Sequence, residues 1–165
     1  MDGVEVLVEA VGRVRGLARP VVDGLDEAAL TRRPGGGNPV VWLVWHAARV
    51  QDDHVADATG GQQVWLAGGW ARRFGLALED ADTGYGHAPE QVAAVRGVSG
   101  EDLAGYLEAV CDRTTEVLRG LGPDRLDDVV DDAWDPPVTL GARLVSVVED
   151  DLQHLGQASY ARGLG

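Results

Sequence analysis

Apolar residues recur at spacings of three and four residues along four long stretches of this chain, the spacing of one face of an α-helix. Each stretch spans roughly 18–24 residues, and no segment shows sustained alternation of apolar and polar residues. The pattern therefore predicts an all-α protein, a four-helix bundle with long crossover connections and almost no sheet. The predicted helices run from about Gly3 to Val22, from Pro39 to about Ala58, from Ser99 to about Leu121, and from Thr139 to about Arg162.

Polar side chains mark the starts of three of these helices. Asn38 is expected to cap the second helix, whose first turn carries a proline. Ser99, with Asp102 three residues later, resembles a capping box at the start of the third helix. Thr139 is expected to cap the fourth helix.

Residues 61–98 form a long connection between the second and third predicted helices. One short helix is predicted near Pro89–Val95, and glycines and acids are frequent elsewhere in it. Connections this long inside a domain are usually functional or disordered, and the aromatic and imidazole side chains of this one argue against disorder. Those side chains are Trp65, Trp70, Phe74, Tyr85 and His87.

Composition and charge exclude several functions. The net charge of −13, with no basic stripe, argues against a nucleic-acid partner. No apolar run approaches the roughly 20 residues of a membrane span, and the acidic N-terminus does not resemble a signal peptide. The one cysteine, Cys111, excludes an intramolecular disulfide and suits a reducing compartment. We therefore expect a single cytoplasmic domain that covers residues 1–165, without nucleic-acid or membrane partners.

Two histidines and one aspartate are the strongest candidates for chemistry. Asp150 and His154 lie four residues apart, so they share one helix face and can hold one metal ion together. His46, from the second helix, would complete a set of two histidines and one carboxylate. This set is common around catalytic zinc and leaves one coordination position open. It also binds non-haem iron, so the ligands do not name the metal.

Each of these residues also has a structural interpretation. His46 sits on an apolar, tryptophan-rich face, where a lone histidine is usually a hydrogen-bonded core residue. The apolar stripe of the fourth helix leads down to Asp150 and His154, which would form a buried ion pair if no metal bound. Asp53 is the alternative carboxylate ligand, and His54 is expected to face solvent. The acids expected to orient the ligating imidazoles are Asp53, Glu149 and Asp151.

Several motifs resemble those of the DinB/YfiT-like superfamily of bacterial metalloproteins. Trp42-Leu-Val-Trp-His46 on an early helix and Asp150-Asp-Leu-Gln-His154-Leu-Gly-Gln on the last helix match its ligand motifs, over essentially the whole chain. Many relatives have histidine where this chain has Asp150. An acid there, together with Gly69-Trp70 and Asp82-Thr-Gly-Tyr-Gly-His87, is similar to the mycothiol-dependent branch, which includes maleylpyruvate isomerase. That isomerase has a further C-terminal domain, of which we expect no counterpart in this chain.

The resemblance implies a divalent metal, with zinc expected ahead of nickel, iron or manganese, and mycothiol as the thiol co-substrate. A metal with an open position can hold a thiol as thiolate near neutral pH. The function expected is therefore a metal-dependent thiol S-transferase that joins a small-molecule thiol to an electrophile. Two alternatives stay open: a non-catalytic, stress-related metal-binding protein, and a metal-dependent hydrolase or isomerase. A homodimer is expected.

Four further residues are candidates around the metal. Arg49 could hold a carboxylate of the thiol or the electrophile, although an ion pair with a neighbouring aspartate is the alternative. Tyr85 and His87 could close the site as a lid and donate protons, or only pack the loop. Trp45, with Arg49 and Tyr85, is expected to bind the thiol cofactor. Cys111 lies mid-helix among apolar residues and is expected to be an inert packing residue.

Overall fold

Four long helices form the frame of the computed structural model, which describes residues 1–164. The all-α fold predicted from the sequence is confirmed, and each predicted long helix is present within a few residues of its expected bounds. The long helices are α1 (Gly3–Val22), α3 (Val40–Thr59), α7 (Gly100–Gly120) and α8 (Leu140–Gly163).

The four long helices pack as a ring in which each helix has two principal neighbours. α1 packs most extensively against α7 and α3 against α8, while α3 with α7 and α1 with α8 complete the ring. The core between them is rich in valine and leucine, and α3 is buried around most of its circumference in its first half. The close packing of α3 on α8 is what brings residues of the second and fourth predicted helices together.

Side-chain hydrogen bonds fix two of the three helix starts for which a cap was predicted. The Ser99 side chain accepts from the backbone N–H of Asp102, and Thr139 accepts from that of Ala142, as predicted. Asn38 does not cap α3, which was a wrong prediction. Pro39 occupies the cap position instead, with no side-chain hydrogen bond.

Short elements fill the connections between the long helices. The predicted short helix near Pro89–Val95 is present, but three others were not predicted because each has only four or five residues, too few for a periodic pattern. Two short strands pair antiparallel, with Val129 opposite Thr139. The short elements are α2 (Glu27–Thr31), α4 (Val64–Ala67), α5 (Trp70–Phe74), α6 (Pro89–Ala94), β1 (Val129–Asp131), β2 (Val138–Thr139) and 3₁₀ turns at Pro34–Gly36 and Pro123–Asp127.

A buried polar network ties the 61–98 connection to the bundle. The Asp52 carboxylate accepts from the backbone N–H groups of Val64 and Trp65, at 2.8 and 2.7 Å, and so holds the start of α4. The Tyr106 hydroxyl, on α7, donates to the same carboxylate at 2.8 Å. Arg49 lies 3.7 Å from Asp52 and supplies the compensating charge. A carboxylate buried this deeply is tolerated because charge and hydrogen bonds satisfy it together.

Within residues 1–164, none of the helices combines the length and the apolar character that a bilayer crossing requires.

The network makes a prediction about stability. Tyr106→Phe removes one donor from Asp52 while the ring stays packed among Trp65, Trp70 and Phe74. The free energy of unfolding should fall by about 1–3 kcal/mol, the usual effect of leaving a buried acceptor short of a donor. Tyr160→Phe is the matched control, because Tyr160 is exposed. Urea denaturation that gives both variants the same stability would contradict the proposed role of the hydroxyl.

Candidate metal centre

Three side chains from two helices converge on one point, as the sequence predicted. His46 comes from α3, and Asp150 and His154 come from successive turns of α8. Each offers a ligand atom, and these atoms all lie within 4.8 Å of one another. His46 is buried, whereas Asp150 and His154 are half-buried. The cluster therefore sits at the edge of the α3–α8 contact, where one side can remain open to a small molecule.

Backbone carbonyls orient both imidazoles. His46 Nδ1 donates to the carbonyl oxygen of Thr83 at 2.5 Å, and His154 Nδ1 donates to that of Asp150 at 2.9 Å. A carbonyl oxygen can only accept, so Nδ1 carries the proton in each ring and the lone pair lies on Nε2. This is the arrangement of metal-ligating histidines, whose second nitrogen donates to a carbonyl or a carboxylate.

The Asp150 carboxylate is incompletely satisfied without a cation. Its Oδ2 atom is buried and accepts no hydrogen bond. The imidazole nitrogen His154 Nδ1 lies 3.4 Å from it, but that nitrogen makes its shorter contact with the Asp150 carbonyl. A buried anionic oxygen with no donor is costly unless a cation binds it. The neutral imidazole nitrogens and this oxygen form a donor set that fits a divalent metal.

The protein environment shifts the pKa values of the two histidines in opposite directions. Burial lowers the pKa of His46, with the Thr83 carbonyl opposing this effect and His154 adding to it. The neighbouring Asp150 carboxylate raises the pKa of His154, against the effect of burial. A ligating imidazole must be neutral, so His46 is already in the required form at neutral pH, whereas a proton competes with the metal at His154.

Trp42 forms one wall of the cluster. Its ring stacks on His46, with centroids 4.5 Å apart and planes 14° from parallel. Its indole Nε1 donates to His87 Nδ1 at 3.1 Å, and the other nitrogen of His87 lies 2.9 Å from the Asp82 carboxylate. The side chain of His87 is only 2% exposed, and both of its nitrogens are engaged. His87 therefore supports Trp42 from behind. This placement is inconsistent with the predicted role of His87 as a proton donor to a ligand.

Gly84 allows the connection to approach the cluster. Its φ of 89° lies in the region that favours glycine. A Cβ atom here would stand 2.8 Å from His46 Nδ1 and 2.9 Å from the Trp45 ring. Only glycine lets the backbone bring the Thr83 carbonyl onto His46. The sequence does not reveal this role of Gly84, because the role depends on where the connection folds back over the bundle.

Arg49 and Trp45 lie behind the cluster rather than beside its open side. The Arg49 guanidinium is completely buried and donates to the carbonyl oxygens of Asp82 and Asp80, at 3.1 and 3.3 Å, and to Gln63 at 3.0 Å. Trp45 is 1% exposed. The direct contact with a thiol cofactor predicted for both residues is inconsistent with this burial. Arg49 instead holds the loop that carries Thr83.

The acids predicted to orient the imidazoles have other surroundings. Asp53, the alternative ligand, accepts from Gln63 at 2.7 Å and is not part of the cluster. Glu149 is exposed and accepts from Gln153. Asp151 is buried in the core, where burial raises its pKa well above the usual value. These predictions were wrong because backbone carbonyls orient the rings, and a sequence does not reveal which carbonyls lie nearby.

An open cavity of about 280 Å³ adjoins the cluster. Tyr85 stands at its rim and is 92% exposed, so it is the one predicted lid residue that faces the cavity. His54 also lines it and is half-buried, contrary to the prediction that it faces solvent, because its Nδ1 atom is paired with Arg143. The lining residues are His46, Val50, His54, Thr83, Tyr85, Arg143, Ser146, Val147, Glu149 and Asp150.

Comparison with known proteins agrees with this fold. The model of the DinB superfamily matches residues 10–158, so the chain belongs to that superfamily. A crystal structure of a conserved protein from Enterococcus faecalis is 32% identical, with a TM-score of 0.91, over 99% of this chain and 97% of that one. No curated protein matches the chain. Membership of the mycothiol-dependent branch stays a prediction.

The geometry predicts one metal ion per chain. His46→Ala and His154→Ala should each weaken metal binding by at least about 100-fold. Each removes a ligand, a larger change than the about 10- to 100-fold effect of losing a ligand's hydrogen-bond partner. His54→Ala and Asp53→Ala should retain the metal because neither residue belongs to the cluster. Metal analysis of the purified variants tests this assignment, and a full metal content in both ligand variants would overturn it.

A second prediction concerns the fit of the loop over His46. Gly84→Ala should weaken metal affinity by about 10- to 100-fold, as changes around a ligand usually do, because the new methyl group collides with the imidazole. Gly86→Ala is a matched control: its φ is also positive, at 70°, but nothing lies within 4 Å of the added Cβ. Competition titration with a metal indicator should find normal affinity in the control. Equal affinities in the two variants would show that the close approach of Gly84 is unimportant.

Proposed function

We propose that the protein is a divalent-metal-dependent thiol S-transferase, in which a low-molecular-weight thiol attacks a small electrophile. The observation that carries the proposal is the position of the three-residue cluster beside an open cavity. Structural zinc sites are closed by four protein ligands, whereas catalytic sites keep a position for water or substrate. Among residues 1–164 the cluster has three members, which supports a site that takes its fourth ligand from outside.

A divalent metal held by these three residues would stabilise a thiolate near neutral pH, because the cation favours the anionic form of a sulfur ligand. In the proposed transfer the sulfur electron pair forms a bond to an electrophilic carbon. The leaving group departs with its bonding pair, and the thiol proton passes to solvent. The protein's part is to hold the imidazole lone pairs of His46 and His154 and the Asp150 oxygen in fixed positions.

The protein does not supply an obvious sulfur nucleophile of its own. Cys111 is fully buried on α7, and its Sγ lies 3.5 Å from the Gln51 side-chain oxygen. Burial raises the pKa of the Cys111 thiol far above its usual value, with the Asp151 charge acting in the same direction. A thiol in this environment remains protonated and out of reach. This supports an external thiol as the nucleophile.

Tyr85 is the residue best placed to contact the reactants directly. It lies at the cavity rim with its ring in solvent, so its hydroxyl can swing towards a bound molecule. We assign it the role of a lid that shields the thiol and donates a hydrogen bond to the electrophile. Arg49, Trp45 and His87 contribute from behind, by holding the loop on which Tyr85 sits.

Mycothiol is the thiol that we propose, with zinc as the metal. The support for mycothiol is the resemblance of Asp82-Thr-Gly-Tyr-Gly-His87 to the mycothiol-dependent branch. This stretch lies at the cavity through Thr83 and Tyr85, where it can contact the thiol beyond its sulfur atom. The support for zinc is the donor set of two imidazoles and one carboxylate. Discrimination between thiols falls to the loop, because a metal does not distinguish one thiolate from another.

The test is thiol transfer by the metal-loaded protein. We expect transfer of mycothiol to 1-chloro-2,4-dinitrobenzene that is faster than transfer of glutathione, is lost on chelation and is restored by zinc. Tyr85→Phe should slow the reaction while metal content stays normal. Chloride release without thiol consumption would instead indicate metal-dependent hydrolysis.

Cys111→Ser provides the control for the identity of the nucleophile. Because the protein thiol is buried and protonated, transfer should be nearly unchanged in this variant. Activity that is lost with Cys111 and indifferent to chelator would overturn the proposed mechanism.

A further inference from the structure

Arg143 is the one permanently cationic residue among those that line the cavity beside the metal cluster. It lies on α8, seven residues before Asp150, and its side chain is only 21% exposed. The chain as a whole carries a net charge of −13, and Glu149 and Asp150 add negative charge to the same cavity. The guanidinium therefore places positive charge at one end of the cavity, whereas Glu149 and Asp150 place negative charge elsewhere in it.

Two hydrogen bonds hold the Arg143 guanidinium in place. Its Nη2 donates to Asp131 Oδ2 at 3.0 Å, and its Nη1 donates to His54 Nδ1 at 2.8 Å. These partners come from β1 and α3, so the group is fixed from two sides. A guanidinium has five N–H bonds, and the part of the chain that the structure describes accepts only these two. A rigid fork with remaining donors matches the geometry of a carboxylate.

His54 adds a second donor at this end of the cavity. An arginine only donates, so His54 Nδ1 must accept, and the imidazole proton lies on Nε2. Nε2–H has no acceptor in residues 1–164 and remains able to donate to a ligand. Between this end and the metal cluster the wall is partly apolar, with Val50 and Val147. The cavity thus offers donors at one end, an apolar middle and metal ligands at the other.

We propose that Arg143 and His54 form a subsite for a single carboxylate on the electrophile that reacts at the cluster. The inference rests on the proposed function for the identity of the reacting molecules. A monoanion fits better than a phosphate, because Asp131 already balances part of the arginine charge and Glu149 adds negative charge to the cavity. Seven residues along α8 correspond to about 10 Å, which sets the length of a molecule that reaches both ends.

Mercapto acids of different length provide the direct test. Mercaptoacetate is too short to reach both ends, whereas 8-mercaptooctanoate is long enough. Calorimetry with the zinc-loaded protein should show that 8-mercaptooctanoate binds at least about tenfold more tightly than 8-mercaptooctanol, the usual effect of a hydrogen-bonded charge. Mercaptoacetate can chelate the zinc with its own carboxylate, so any advantage that it has over mercaptoethanol should survive Arg143→Gln. Equal affinity of the long acid and the long alcohol would overturn the subsite.

Variants separate a ligand subsite from a purely structural ion pair. Arg143→Gln should abolish the acid-over-alcohol preference, and Arg143→Lys should retain part of it. Asp131→Asn removes the same ion pair but leaves the guanidinium, so it should keep or increase the preference. Arg15→Gln, which breaks a comparable ion pair with Asp112 outside the cavity, is the matched control. If Asp131→Asn loses the preference as completely as Arg143→Gln does, the ion pair is structural and the proposal fails.

Two further arms identify the source of the carboxylate and separate this proposal from the proposed function. If Arg143→Gln raises KM for 4-chloro-3,5-dinitrobenzoate but not for neutral 1-chloro-2,4-dinitrobenzene, the electrophile carries the carboxylate. A preference confined to the mercapto acids would place the carboxylate on the thiol, and so reject both this assignment and mycothiol, which has no free carboxylate. Octanoate, which has no sulfur, tests the subsite alone. Binding of octanoate that depends on Arg143, without binding of any thiol, would support the subsite and reject the transferase. If thiols bind equally well with and without a carboxylate, the result would support the transferase and reject the subsite.

Discussion

The hydrogen bond from His46 Nδ1 to the Thr83 carbonyl is the contact on which the site depends. It fixes the proton on Nδ1, leaves the Nε2 lone pair free to bind a metal, and brings the loop to the cavity rim. The contact exists because Gly84 adopts a backbone conformation that favours glycine and leaves room for the imidazole. The same hydrogen bond therefore orients the His46 imidazole and positions the loop that carries Tyr85.

The loop is held by a buried charge rather than by apolar packing alone. The Arg49 guanidinium donates to the carbonyl oxygens of Asp80 and Asp82, and Asp52, 3.7 Å away, balances its charge while holding the start of α4. An ion pair removed from water contributes little net stability, but losing one partner is costly. The Arg49–Asp52 pair instead holds the glycine-rich loop in one conformation, because glycine itself restricts the backbone little.

The sequence was sufficient to predict the long helices and the pairing of Asp150 with His154, because both follow from local periodicity. His46 lies on another helix, and its place in the cluster was predicted from its residue type and from the DinB resemblance. The sequence was less reliable about which acid enters the core. Asp151, not Asp150, is fully buried on α8. Adjacent residues of a helix point about 100° apart, and a wide apolar face does not show which of two neighbouring positions faces the core. The surroundings of Arg49, His87 and His54 could not be predicted, because they depend on where the 61–98 connection and β1 pass over the bundle. That path follows from tertiary contacts alone.

The central claim is that His46, Asp150 and His154 hold a metal with one position left for an external thiol. X-ray absorption at the zinc edge, recorded before and after addition of thiol, tests it most directly. The account predicts nitrogen and oxygen neighbours alone in the first spectrum, and one sulfur neighbour at about 2.3 Å in the second. A spectrum unchanged by thiol, or one that shows sulfur before any thiol is added, would contradict it.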